Sequence, residues 1–268
     1  GIRNIAVGSD ALGANTEGER NVAIGYYALK TNTTVDYLTA VGYGALYANT
    51  DATENSAVGA YALTSNTTGG TNSALGYTAL YTNTTGTSNT AVGRSSLHSS
   101  VSGTTGQMTG DHNTSVGYES LMDNTTGIDN VAVGSRALTA ATTGNYNTCI
   151  GNNSGSDIST GFHNVSIGHG THRTNTDRAI TIGTDLTSKG TNYITLGRDA
   201  VGKVYNQYSS NASWARDSDE RLKKDILTNT DCGLNFINDL RTVTYKWKAP
   251  SEVPSDMPNY DPEITEPK

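Results

Sequence analysis

The chain has 268 residues, a formal net charge of −7 and only 16% charged side chains. This negative balance, with no long run of Lys or Arg, argues against nucleic acid as a partner. No apolar run approaches the roughly 18–20 residues of a membrane-spanning helix, so we expect no membrane insertion. Hydrophobic residues make up 34%, below the roughly 45–50% of an ordinary globular domain, while the low charge is not typical of disorder. The composition therefore predicts a thin, elongated protein with a narrow core.

A short phrase, of which Asn72–Leu80 is one copy, recurs along residues 1 to about 200. Its glycine returns mostly every 17 residues, with one longer step after Gly93 and shorter steps after Gly168. We call these the repeat glycines and count other positions from them. The repeat glycines are Gly8, Gly25, Gly42, Gly59, Gly76, Gly93, Gly117, Gly134, Gly151, Gly168, Gly183 and Gly197. A fixed internal period predicts a stack of similar coils.

Each repeat places the same residue types at the same distance from its glycine. Asn usually lies four positions before it, an aliphatic residue one before it and Leu four after it. The leucines are Leu12, Leu29, Leu46, Leu63, Leu80, Leu97, Leu121 and Leu138. The run Asn-x-Ala-Val-Gly is typical of a short strand that enters a bend, and Asn and Gly suit turn positions with positive φ. Each repeat therefore predicts two short strands and two turns, stacked so that Asn, Val and Leu form ladders.

The predicted fold is all-β: a parallel β-roll or β-solenoid over residues 1–202. One Val or Ile and one Leu per coil make a small core for a single chain, and an exposed apolar stripe favours association. We therefore expect a homotrimer of parallel chains, with both the Val/Ile ladder and the Leu ladder turned inward.

Three copies of the phrase resemble a known family. Asn89–Gly93, Asn130–Gly134 and Asn164–Gly168 are similar to the head repeats of trimeric autotransporter adhesins, and similar repeats occur in phage tail fibres. The resemblance covers residues 1 to about 200 and implies a left-handed parallel β-roll that trimerises. The 17-residue period is longer than the usual adhesin unit, which implies longer outer loops.

Two features of the repeats are candidates for binding. Tyr26, Tyr43, Tyr77 and Tyr118 share the position after the repeat glycine, where their rings could stack on the sugars of a host glycan. Packing between neighbouring coils is the alternative reading of the same tyrosines. The longer step inserts residues within His98–His112, and such insertions project as loops from one face. This loop either contacts a receptor or is a surface loop without a role.

The sequence predicts no cofactor and no metal site. His163, His169 and His172 could meet around a trimer axis, but no close pair has a recognised ligand motif. Cys149 occupies a position where other repeats have Ala, so we expect a small buried hydrophobic residue there.

The repeat ends after Gly202, and residues 203–217 are predicted to be a linker. Residues 218–249 combine a helical pattern at Leu234, Ile237 and Leu240 with strand-like alternation from 242 to 248. This predicts a small α+β segment. All five prolines lie in the acidic tail 250–268, which reads as a loop or disorder.

The segment from Ser218 to Lys248 resembles the C-terminal intramolecular chaperone domain of phage tailspikes and fibres. That family's motif is Ser-Asp-x-Arg-x-Lys, which Ser218, Asp219, Arg221 and Lys223 match. The resemblance implies that the segment trimerises, assists folding and then cuts itself off. Ser218 would be the nucleophile and Lys223 its base, since a serine hydroxyl needs an adjacent base and burial lowers the pKa of lysine. Alternatively, Ser218 only caps a helix that contains Lys223.

Together these features favour a trimeric phage tail fibre that attaches to a host-surface receptor and assembles with other tail proteins in an extracellular virion. Its enzymatic activity would be at most a single self-cleavage. A bacterial trimeric surface adhesin is the main alternative. A tailspike that degrades host glycans is less favoured, because it needs a pair of carboxylates in a groove and the acidic residues are scattered.

Overall fold

A computed structural model of the chain describes residues 1–99, 107–172 and 174–208, together with the two-residue strand Ala215–Arg216. The chain divides into two compact units, Gly1–Asp217 and Ser218–Lys268, and all of the described residues lie in the first. Within them there are strands and turns but no helix, which confirms the all-β prediction. The predicted α+β segment 218–249 and the tail 250–268 lie outside the described residues.

Fourteen strands form one sheet in which spatial order follows sequence order. The strands are β1 Ile5–Val7, β2 Val22–Ile24, β3 Thr39–Val41, β4 Ser56–Val58, β5 Ser73–Leu75, β6 Thr90–Val92, β7 Thr114–Val116, β8 Val131–Val133, β9 Thr148–Ile150, β10 Val165–Ile167, β11 Ile180–Gly183, β12 Tyr193–Arg198, β13 Gly202–Gln207 and β14 Ala215–Arg216. Strands β1 to β12 pair in parallel, and equivalent repeat positions face each other, as in the pairing of Ala40 with Ala57. The parallel β-solenoid is thus confirmed, and we number each coil after the strand that it contains.

Each coil contains one short strand, so the second strand that we expected in each repeat is absent from the described coils. The reason lies in the backbone after the repeat glycine. Leu at position +4 adopts positive φ, for example 52° at Leu63, and so does the residue at +2, such as Tyr61 at 60°. Left-handed residues interrupt an extended strand, although the turns still bond from coil to coil, as when Leu29 N donates to the Ala45 carbonyl at 3.1 Å.

The solenoid core lies inside a single chain and is built from Ala and Leu. Leu29, Leu46, Leu63 and Leu80 are fully buried among the alanines of the strands and turns. The prediction that the Leu ladder faces other chains is therefore wrong, because the left-handed turn directs Leu back into its own coil. The Val/Ile ladder points outward instead, since successive strand residues face opposite sides and Ala takes the inner side.

The asparagines four positions before the repeat glycine join each coil to the next. Asn72 is typical: its backbone N–H donates to Asn55 Oδ1 at 2.8 Å, its Nδ2 donates to the Gly86 carbonyl at 2.8 Å, and its Oδ1 accepts from Asn89 N at 2.9 Å. The predicted Asn ladder is confirmed, but these asparagines link coils and do not occupy the positive-φ positions of turns. Their burial is tolerated because their polar groups are hydrogen-bonded.

Two things require glycine at the repeat position: its positive φ, and the backbone of the next coil, which lies too close for a side chain. Gly42 has φ of +139°, and a Cβ added there would lie 2.5 Å from the Gly59 carbonyl carbon. A side chain at this position would therefore separate neighbouring coils.

The parallel stack ends in an antiparallel pair. Strand β13 folds back along β12, and β14 pairs antiparallel with β13. Both β14 and most of β13 lie within residues 203–217, so the stretch predicted as a linker contains strands that continue the sheet.

Candidate functional site

Seven tyrosines lie together on coils 2 to 5, and we call them the tyrosine surface. They are Tyr26, Tyr27, Tyr43, Tyr47, Tyr61, Tyr77 and Tyr81. Three of the four tyrosines predicted from the sequence belong to it. The other members occupy positions +2 and +5, which the turn brings beside position +1. Alignment on the single position after the glycine could not reveal them.

The rings of the tyrosine surface contact one another along the direction of coil stacking. Tyr26 and Tyr43 are stacked with centroids 5.4 Å apart, while Tyr43 and Tyr61 meet edge to face at 5.0 Å. Tyr61 meets Tyr77 edge to face at 6.3 Å. Such contacts hold aromatic rings in fixed positions.

Mutual contact leaves much of these rings in solvent. Tyr26, Tyr43 and Tyr77 remain 40%, 45% and 49% exposed. A hydrogen bond with Tyr27 is the main effect that raises the pKa of Tyr26 to about 12, so this hydroxyl is neutral at physiological pH. At the same end, Lys30 Nζ lies 3.8 Å from the centroid of the Tyr27 ring. The surface therefore offers both packing between coils and exposed aromatic area.

Tyr118, the fourth predicted tyrosine, lies in a separate, charged cluster. Arg94 Nη1 donates to its hydroxyl at 3.2 Å, and the Arg136 guanidinium lies 5.8 Å from its ring centroid. Arg136 Nε also donates to Glu119 Oε2 at 2.9 Å. Hydrogen bonds from Tyr118 and Arg136 lower the pKa of the Glu119 carboxyl. The structure thus brings three predicted tyrosines together and gives Tyr118 a charged environment of its own.

A second exposed feature is a row of aliphatic side chains, which we call the aliphatic face. Its members are Val7, Ile24, Val41, Val58, Leu75, Val92, Val116, Val133, Ile150, Ile167, Ile182 and Leu196, one before each repeat glycine. Val58 and Leu75 are 38% and 51% exposed, and each of the other members is either exposed or half-buried in a single chain. Soluble monomers seldom expose a continuous apolar row, and such rows mark interaction sites.

The three histidines considered for a metal do not come together. His163 stacks on Tyr146 with centroids 4.8 Å apart, and His169 Nδ1 lies 3.2 Å from Asp185 Oδ1. His172 is fully buried in the core, so it cannot meet copies of itself on an axis between chains. Among the described residues no group of three metal-ligating side chains is present.

His172 and Cys149 are buried reactive groups of the core. Burial lowers the pKa of His172 to about 4 and raises the pKa of the Cys149 thiol. The protonated Cys149 thiol is inert and acts in packing, while His172 is closed off from solvent and hydrogen-bonds within the core through its Nε2, 2.7 Å from Thr176 Oγ1.

The outer turns of coils 2 and 3 form a shallow pocket of about 420 Å³. Its lining includes Asp36, Asp51 and Glu54 beside Tyr37. Asp51 and Glu54 are exposed and Asp36 is half-buried; Asp36 Oδ1 accepts a hydrogen bond from Glu19 N at 2.6 Å. The general acid of a glycosidase is a carboxyl group that is buried in the site, and none of these three carboxylates is buried.

The other predicted residues, Ser218, Asp219, Arg221 and Lys223, lie outside the described residues, as do residues 100–106 of the inserted stretch. No helix within the described ranges is long and apolar enough to cross a membrane.

Residues 218–261 match the family model described as the chaperone of endosialidase. Searches of curated proteins and of solved structures each found no match. A β-solenoid that precedes such a segment suggests a phage tail fibre or tailspike.

Proposed function

We propose that the chain is a trimeric tail fibre or tailspike protein that attaches a phage to its host. In this proposal the β-solenoid forms the part that faces the host, and the segment that begins at Ser218 assists trimer folding. The observation that carries the proposal is the combination of a row of exposed and half-buried aliphatic side chains, one on each coil, with a chaperone-of-endosialidase segment after it in the sequence.

The aliphatic face supports the trimer. Leu75 and Val7 are more than half exposed in one chain, and burial of such side chains contributes about 25 cal/mol for each Å² removed from water. Because the row continues from coil to coil, parallel copies can bury it along their whole length only if their coils are in register. A chaperone segment that brings three chains together at one end would set that register.

Self-cleavage beside Ser218 is the second part of the proposal. Ser218 Oγ attacks the carbonyl carbon of an adjacent peptide bond while Lys223 accepts the hydroxyl proton. The peptide C–N bond then breaks as Lys223 returns this proton to the leaving amine, and water hydrolyses the resulting ester to a carboxylic acid and the free serine hydroxyl. Asp219 and Arg221 support this pair. Trimer packing would bury Lys223 and lower its pKa, which would couple cleavage to assembly. A cut beside Ser218 falls at the division between the two compact units.

The assembly is tested by light scattering of the purified full chain. We expect a trimer for the wild type and mostly monomer for Leu75→Lys, since a charge on the aliphatic face would be buried without a partner. Thr85→Lys, which places the same charge on an exposed turn residue, should remain trimeric. A monomeric wild type would overturn the proposal.

Cleavage is tested by intact mass and a denaturing gel. We expect two fragments that divide beside Ser218 in the wild type and one full-length species for Ser218→Ala and Lys223→Ala. A single full-length species in the wild type, unchanged by Ser218→Ala, would remove self-cleavage and leave the trimeric fibre standing.

Two other functions have less support. A bacterial trimeric adhesin shares the repeats, but the segment at residues 218–261 favours the phage protein. A glycan-degrading tailspike would need a buried acid, and the pocket with Asp36, Asp51 and Glu54 has no buried carboxylate.

A further inference from the structure

The tyrosine surface has three properties that together indicate its ligand. The first is its continuity: ring contacts connect Tyr26 on coil 2 to Tyr81 on coil 5 without a gap. Because these rings brace one another, little rotamer freedom remains to be lost when a ligand binds, and pre-organised rings bind more tightly.

The second property is the absence of charge. Positions +1, +2 and +5 of coils 3 to 5 hold only Tyr, Gly, Ala and Thr. The nearest charges in these columns lie at the two ends: Lys30, which pairs with Asp10 at 3.9 Å, and Arg94, which contacts Tyr118. An anionic ligand would find no cation in the centre of the surface, whereas a neutral ligand with many hydroxyls can bond the phenol hydroxyls and stack on the rings.

The third property is periodicity. The solenoid repeats the same type of surface at each coil, and neighbouring strands of a sheet lie about 4.8 Å apart. Ring centroids follow at a similar interval, 5.4 Å from Tyr26 to Tyr43 and 5.0 Å from Tyr43 to Tyr61. A polymer whose units recur at about the width of one sugar ring can make the same contact on each coil.

From these properties we propose that the tyrosine surface binds an extended, uncharged polysaccharide that lies parallel to the direction of coil stacking. Sugar faces pack on the exposed rings of Tyr43 and Tyr77, and phenol hydroxyls bond to sugar hydroxyls. Tyr118 is not part of this site. The inference rests on the proposed attachment role and specifies its ligand.

The test is native gel electrophoresis of the full chain in gels that contain a soluble polysaccharide. The neutral probes are a soluble cellulose derivative, a galactomannan and dextran, and the anionic probe is hyaluronan. The main variant is Tyr43→Ala/Tyr77→Ala, and Tyr43→Phe/Tyr77→Phe keeps the rings without their hydroxyls. Tyr146→Ala is the matched control, because Tyr146 is 48% exposed and lies outside the surface.

We expect at least one neutral polysaccharide to slow the wild type and Tyr146→Ala equally. The double alanine variant should bind roughly tenfold more weakly, since two aromatic contacts are lost, and the phenylalanine variant should lie between. Equal melting temperatures would show that the variants are folded. No retardation by any neutral polysaccharide, retardation by hyaluronan alone, or unchanged binding of the double alanine variant would each overturn the proposal.

Sedimentation with host cells separates this inference from the attachment role. If cells bind the wild type and the double alanine variant equally, attachment stands and the tyrosine surface is not its site. If no cells bind the wild type while a neutral polysaccharide does, the surface is a glycan site and the attachment role fails.

Discussion

Coils 2 to 5 and coils 9 to 11 share one backbone but fill their interiors in different ways. In coil 4 the inward residues are Ala57, Ala62 and Leu63, all fully buried. In coil 10 the same positions hold Ser166, Thr171 and His172, which are equally buried. Coils 4 and 10 share the strand, the repeat glycine and the linking asparagine, which is Asn55 in coil 4 and Asn164 in coil 10.

The polar interior is stable because its groups satisfy one another. Ser166 Oγ and Thr171 Oγ1 are 2.7 Å apart, and Ser154 Oγ donates to the Ser166 carbonyl at 2.7 Å. His172 Nε2 lies 2.7 Å from Thr176 Oγ1. The repeat glycine and the left-handed turn therefore define the coil, whereas its interior accepts either apolar contact or a closed hydrogen-bond network.

The largest loss of stability should come from substitution of the repeat glycine, which both regions share. Gly42→Ala in the apolar region and Gly151→Ala in the polar region both place a Cβ against the next coil at φ of +139° and +126°. Backbone strain and overlap together should cost about 3 kcal/mol or more in each case. Thermal unfolding of the full chain, followed by circular dichroism, measures the loss.

The control for this pair is Gly70→Ala, because Gly70 lacks a positive φ and its added Cβ lies 3.3 Å from the nearest atom, the Thr53 carbonyl oxygen. It should melt close to the wild type. A large difference between Gly42→Ala and Gly151→Ala would mean that the two regions do not share one backbone requirement.

The glycine period predicted the stack and its register because each repeat must place equivalent residues opposite one another. The direction of the Leu ladder could not be predicted, since it depends on positive φ at leucines such as Leu63, a conformation that L-residues rarely adopt. Three of the seven members of the tyrosine surface were predicted from the sequence. The others could not be, because residues such as Tyr61 and Tyr81 come beside Tyr43 and Tyr77 only through the geometry of the turn. The roles of Ser218 and Lys223 stay predictions.

An intermediate loss of stability should occur on acidification, because the polar region contains the buried His172. Burial lowers the pKa of His172 to about 4 in the folded chain, against about 6.5 when unfolded. Above pH 6.5 both states are neutral, so the full stability is present. As the pH falls from 6.5 to 4 the unfolded state gains a proton that the folded state does not, which should lower the free energy of unfolding by about 3 kcal/mol.

Melting curves between pH 8 and pH 4 test this effect. His172→Leu, which restores the residue usual at this position, should remove a large part of the pH dependence. His163→Asn, at an exposed histidine stacked on Tyr146, should retain it. Equal pH dependence in the wild type and His172→Leu would contradict the assignment to His172.

The smallest effect tests coil 9, the first coil of the polar region, where Cys149 replaces Ala and Gly155 replaces Leu. The Cys149 sulfur occupies the space that a Cβ at Gly155 would need, so the two substitutions compensate in volume. Cys149→Ala should open a small cavity and cost about 1 kcal/mol, while Gly155→Ala should cost more because its methyl group meets the sulfur.

In Cys149→Ala/Gly155→Ala the new methyl group enters the space left by the sulfur, so the double variant should be more stable than the sum of the single losses predicts. Denaturant unfolding at one fixed chain concentration under reducing conditions measures the cycle, and strict additivity would show that the two positions do not share this space.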